Sequence, residues 1–285
     1  MIKKIKYFFQ AIIIYLCFII GWLLGLKLSR KLFSYLFLKI GPFVKSKNTV
    51  NNNLDKFSKK LSTQEKSLII KEMWKNYGKT FIEYTFLNYF RKNKSHISIK
   101  GKEILLEIKD NKQPVIFVSG HFANFELMSM EITRQNILLA TIYRPLNNIF
   151  LNPFMEYLRK KHICKNQIKK GIKGVKEAIN YIKSGHSIAL MIDQRVSEGR
   201  KINFFGYPAL TTTLPAQLSN KFDLDIVPVL IKRNKNNSFE IHFLKKIKSK
   251  TFENKEKLTQ ELNKVLENMI IQNPNQWIWT HNRWK

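Results

Sequence analysis

Residues 113–135, QPVIFVSGHFANFELMSMEITRQ, decide the fold class. Pro114 opens an unbroken apolar run, Val115–Val118, which reads as a buried strand. Gly120 permits a sharp turn, and from 124 to 135 the apolar positions recur at helical spacing. The chain repeats this alternation downstream, with a strand over 138–143, helices over 148–161 and 172–184, and a strand over 186–193. A helix over 213–221, strands over 225–233 and 238–247 and a last helix over 254–271 follow. Upstream, Ser62 and Glu65 stand in capping-box spacing at the start of a helix that runs to Leu87, and a short helix lies near Lys102–Ile108. Strands alternating with helices predict an α/β fold, a mixed central sheet flanked by helices.

Open α/β sheets gather ligands at the carboxyl ends of their strands. Three predicted strands end in polar groups there: VSGH at His121, TIYR at Arg144 and MIDQR at Asp193. Glu126 follows His121 by five positions, about 500° of helix rotation, so the two meet only if His121 sits in the turn and Glu126 in the first helical turns. A carboxylate on one ring nitrogen then fixes the tautomer and leaves the other nitrogen to take a proton from an alcohol. A helix starting near Ala123 also offers backbone N–H groups to an oxyanion. As a bare pattern, His-x4-Glu fits a structural histidine more often than a catalytic one. Ser119 lacks the glycine spacing of a nucleophile elbow and Cys164 has no motif beside it. With no P-loop, dinucleotide fingerprint or HExxH, neither a cofactor nor a metal is expected.

Residues 7–26, YFFQAIIIYLCFIIGWLLGL, contain one polar residue, Gln10, and are long enough to cross a hydrocarbon core of about 30 Å. One N-terminal transmembrane helix is expected, and the apolar run exceeds that of a cleaved signal peptide. Twelve of the first 60 residues are basic and one, Asp55, is acidic, so 27–60 suits an anionic headgroup surface. Lysines flank both ends of the span; those beyond it favour a cytosolic C-terminal side. We divide the chain into a membrane anchor with its juxtamembrane segment, 1–45, and a cytosolic-face domain, 46–285. The net charge of +30 suits anionic partners, although 41 Lys against nine Arg also carries a compositional bias. The closing WIWTHNRW suits a bilayer interface or a C-terminal strand packed on the core. Two cysteines, Cys17 and Cys164, make no disulfide framework and suit a reducing compartment.

In order along the chain, the apolar N-terminus, SGHFANFELM, YRPLNN, MIDQR, NFFGYPALTTTLPAQLS and QWIWTHNRWK resemble the bacterial lipid A biosynthesis acyltransferases. The resemblance implies a glycerolipid-acyltransferase-like fold at the cytoplasmic face of the inner membrane, held by a single pass. It implies transfer of a lauroyl- or myristoyl-type chain from acyl carrier protein to a hydroxyl on an acyl chain of the Kdo-bearing, phosphorylated lipid A precursor. In that reading His121 is the base and Glu126 its acidic partner, Arg144 meets the oxyanion or a phosphate, and Asp193 orients Arg144 or an acceptor group. Asn124 and Arg195 complete the substrate-binding set. Anionic membrane lipids are expected partners and nucleic acid is not. Ala123 and Phe125 stand where glycine and tryptophan are frequent, changes expected to preserve the turn. Two alternatives stay open: an acyltransferase acting on another glycolipid or aminolipid, and a non-enzymatic basic protein binding membrane or nucleic acid.

Overall fold

The computed structural model describes residues 2–285. A seven-stranded sheet forms its centre, in the order β1 (Ile97–Lys100), β9 (Phe239–Phe243), β8 (Ile226–Arg233), β2 (Ile116–Ser119), β5 (Ser187–Met191), β3 (Leu139–Tyr143), β4 (Asn166–Lys169). All neighbours run parallel except β8 with β9, so the sheet is mixed as expected. A hairpin of β6 (Arg200–Phe204) and β7 (Tyr207–Thr211) stands apart.

The apolar run at Val115–Val118 serves both faces of the sheet because side chains alternate along a strand. Val115 and Phe117 point into one core, shared with α5 (Lys102–Asn111) and α6 (Glu126–Arg134). Ile116 and Val118 point into the other, built with α8 (Ile172–Lys183), α9 (Leu214–Phe222), α10 (Lys255–Gln272) and three tail tryptophans. Trp277, Trp279 and Trp284 are buried there, in irregular chain. The tail is therefore neither a strand nor an interface belt: its indoles fill the space between the sheet and α2 (Lys47–Phe57).

β1, β4 and the β6–β7 hairpin were not read from the sequence. The first two are four-residue edge strands of mixed polarity, ISIK and NQIK, whose pattern falls below a strand signal.

The N-terminal helix α1 (Ile2–Val44) is longer than the apolar run and is broken at Gly25, whose φ of 70° and ψ of 167° only glycine adopts without strain. Beyond the break, Ser29, Arg30, Phe33 and Ser34 are buried against α3 (Thr63–Glu83), which carries the expected capping box of Ser62 with Glu65. At Gly78 the two helices approach so closely that a Cβ would lie 2.0 Å from the Phe33 carbonyl oxygen.

Candidate active site

The pairing of β2 with β5 builds the site. Ser119 stands opposite Met191, so the residues two further along each strand, His121 and Asp193, leave the sheet side by side. His121 Nδ1 lies 2.7 Å from Asp193 Oδ1, and the His121 backbone N–H donates to Oδ2 at 2.8 Å. The Trp277 indole N–H donates to the same Oδ2 at 2.9 Å. Burial alone would push the Asp193 carboxyl up, but the neighbouring imidazole and these three donors outweigh it and hold the group below its ordinary 3.8. An ionised Asp193 only accepts, so His121 Nδ1 carries the proton and Nε2 is the basic nitrogen. The ring is partly exposed and packs edge-on to Phe125 at 4.6 Å.

The two carboxylates are not placed as expected. Asp193 is bonded to His121 and Trp277 and not to Arg144, and its side chain is fully buried behind His121. Glu126 does not hold the imidazole. The helix starts at Glu126 rather than near Ala123, and the preceding turn aims the carboxylate toward α3 and α7 (Asn152–His162). There Arg159 Nε donates to Glu126 Oε1 at 2.7 Å and the Tyr84 phenol donates to the same oxygen at 2.6 Å. Burial, reinforced by the Glu126 carboxylate, raises the Tyr84 pKa and keeps it a donor. For Arg159 burial works against the charge, but Glu126 and Tyr84 outweigh it and raise its pKa. His121 and Glu126 nevertheless share one cavity of about 490 Å³, with Tyr84, Phe125, Arg144 and Arg159 also in its wall.

Asn124, expected at the substrate, is 1% exposed and stands behind the turn. Its amide donates to Glu83 Oε2 at 3.0 Å, while Thr80 Oγ1 donates to the Ala123 carbonyl at 2.9 Å. Glu83 is itself held by Arg30 at 2.6 Å and by Arg233, so the turn hangs from a buried ionic cluster on α3. Ala123 takes a left-handed φ of 45°, the conformation in which glycine is unstrained. Gly120 is needed for space: a Cβ there would meet the Phe122 ring at 2.7 Å.

Arg144, at the end of β3, and Arg195 lie in the wall shared by this cavity and an adjoining one of about 1010 Å³. Lys170 lines both cavities, and the outer one adds Lys285 and the start of α8, with one acid, Glu198. The Arg195 backbone N–H donates to His281 Nε2 at 2.9 Å. Burial, together with His121, Arg283 and Arg144, lowers the His281 pKa against the pull of Asp193, keeping that nitrogen an acceptor. Sequence reasoning missed Tyr84, Arg159 and Trp277. Each is brought in by packing from a distant segment; only the tail's density in aromatic and basic residues hinted at Trp277. Among the described residues no cluster of three or more His, Cys, Asp or Glu side chains suits a metal.

The Escherichia coli (strain K12) lipid A biosynthesis lauroyltransferase is 23% identical over 243 residues, covering 83% of this chain and 78% of that protein. The palmitoleoyltransferase of the same organism is 23% identical over 258 residues, covering 86% and 80%. Among solved structures, the 1-acyl-sn-glycerophosphate acyltransferase of Thermotoga maritima aligns with a TM-score of 0.43 at 15% identity, over 89% of this chain and 100% of that one. The sequence model described as bacterial lipid A biosynthesis acyltransferase matches residues 2–285; this chain belongs to that family.

Proposed function

We propose that the protein transfers a lauroyl- or myristoyl-type acyl group from acyl carrier protein to a hydroxyl on an acyl chain of the Kdo-bearing lipid A precursor, at the cytoplasmic face of the inner membrane. The observation that carries the chemistry is the His121–Asp193 pair at the wall of a cavity, with the basic ring nitrogen on the side away from the carboxylate. His121 Nε2 takes the acceptor hydroxyl proton as that oxygen attacks the thioester carbonyl. Arg159 and Arg144, in the same wall, offer positive charge to the oxyanion. Collapse breaks the C–S bond, and the leaving thiolate recovers the proton from His121. Asp193 is a positioning residue in this scheme. Glu126 sets the guanidinium of Arg159. Arg144, Arg195 and Lys170 receive the phosphorylated headgroup, as charge-assisted contacts to phosphate require.

The test is turnover of acyl carrier protein thioesters of graded chain length with the tetra-acylated, Kdo-bearing precursor. His121→Ala and Glu126→Ala are expected to remain folded by circular dichroism and to lose transfer. Wild-type turnover by both would overturn the assignment. Transfer to a mannosylated or ornithine-type lipid, with none to the precursor, would move the acceptor to another class.

A further inference from the structure

The mouth of the outer cavity carries more positive charge than a phosphorylated headgroup needs. β4 ends at Lys169, Lys170 follows, and α8 begins two residues later with Lys173 and Lys176 in its first turns. At Gly174 a Cβ would lie 2.0 Å from the Lys169 carbonyl oxygen, so the start of α8 is pressed onto the end of β4 and the rim is held by the sheet. Gly174, Ala178 and Ile182 turn toward the core. Ile172, Lys173 and Lys176 are left on the outward face.

Elsewhere on the surface lysines find carboxylates: Lys66 with Asp55, Lys100 with Glu240, Lys246 with Glu107 and Lys250 with Asp223. At this rim Lys169 does so, with Glu156 at 3.3 Å. Among the described residues Lys170, Lys173 and Lys176 form no ion pair. Ile172 beside them is 82% exposed. A single exposed isoleucine is ordinary; one set among unpaired cations at a cavity mouth has the form of a protein contact, an apolar anchor within a charged surround.

We infer that this rim, Ile172 with Lys173 and Lys176, docks the acidic face of the carrier protein that delivers the acyl thioester. The inference rests on the proposed donor being a carrier protein. Ile142, Arg144, Arg195 and Leu214 line both cavities, so a thioester arm entering over Ile172 passes from the outer cavity to His121 along one continuous wall. Ile142, Val175 and Leu214 offer that arm apolar contacts apart from the three cations assigned to the headgroup. The membrane is the other anionic surface in reach, and placement argues against it. The apolar stretch of α1 packs through Phe18 on Phe81, Ile82 and Met155 of α7. α7 joins α6 on one face of the sheet through Leu158, whereas Ala178 and Ile182 of α8 pack on the other. One apolar side chain is too little for insertion, while the unpaired charges suit the steering of an acidic protein.

The experiment uses full-length enzyme in neutral-detergent micelles. Binding of fluorescently labelled acyl carrier protein is read by anisotropy, and turnover is compared between the carrier thioester and a pantetheine thioester of the same acyl chain. Lys173→Glu with Lys176→Glu is expected to weaken carrier binding by about tenfold or more and to flatten its salt dependence. KM for the carrier thioester rises accordingly, while kcat/KM for the pantetheine thioester stays within about twofold. Ile172→Ser is expected to weaken binding with the salt dependence kept. A control reversal of exposed lysines away from the rim, Lys109→Glu with Lys235→Glu, is expected to leave carrier affinity unchanged. Wild-type carrier affinity in the rim variant overturns the inference, as does equal loss from the control pair or equal loss with both donors. Lost binding to phosphatidylglycerol vesicles with carrier affinity intact gives the rim to the membrane and overturns it too. Turnover of the pantetheine thioester alone by the wild-type enzyme sinks the carrier as donor; carrier turnover with an insensitive rim sinks the docking surface only.

Discussion

On the proposed mechanism Asp193 positions His121 and does not itself carry the proton. Asp193→Asn keeps the shape but can present Nδ1 of His121 with an amide N–H, favouring the wrong tautomer. A fall in kcat of about 10²–10⁴-fold is expected with a small change in KM, measured by steady-state acyl transfer. Trp277→Phe removes one of three donors to the carboxylate, at a cost of about 0.5–1.5 kcal/mol by chemical denaturation. The linkage has a definite sign: because the folded Asp193 carboxyl is held below its ordinary 3.8, its contribution is complete above that value. It drains as pH falls through the lower folded value. Acid-unfolding curves of Asp193→Asn are expected to lack that component. At this scale the sequence was half legible. His121, Arg144 and Asp193 were found because strand ends concentrate ligands, but which carboxylate faces the imidazole is fixed by strand register, which a local five-residue spacing does not encode.

At the scale of elements, the joint between α1 and α3 holds the His121 turn in place. Glu83 is buried between Arg30 of α1 and Arg233 of β8 and also receives Asn124 from the turn. Glu83→Ala leaves two guanidinium groups buried without their counter-charge, so a loss of about 3–5 kcal/mol is expected from thermal or denaturant unfolding. Gly78→Ala forces a methyl against the Phe33 carbonyl and is expected to cost about 1–3 kcal/mol or more. Most of these elements were legible: α3 from its capping box, β2 and β5 from their apolar runs. The edge strands β1 and β4 were not, because short strands of mixed polarity take their conformation from hydrogen bonds to a neighbour already in place.

For the whole molecule, the +30 charge and the exposed apolar face of α1 act together. Binding to vesicles containing phosphatidylglycerol is expected to weaken as salt rises from 0.05 to about 0.5 M, where the Debye length contracts to a few ångströms. A floor set by apolar insertion is expected to survive high salt; a flotation assay reads both terms. By itself the sequence determined what local chemistry can write: the α/β class, the helix caps, an apolar N-terminal helix, and the polar residues waiting at three strand ends. Only the tertiary structure decided that Asp193, not Glu126, stands behind His121, that Glu126 is paired with Arg159, and that α1 is packed along the domain. Those pairings join residues from 33 to 141 positions apart. They are set by strand register and helix packing, in which many distributed contacts choose the geometry and no short pattern records it.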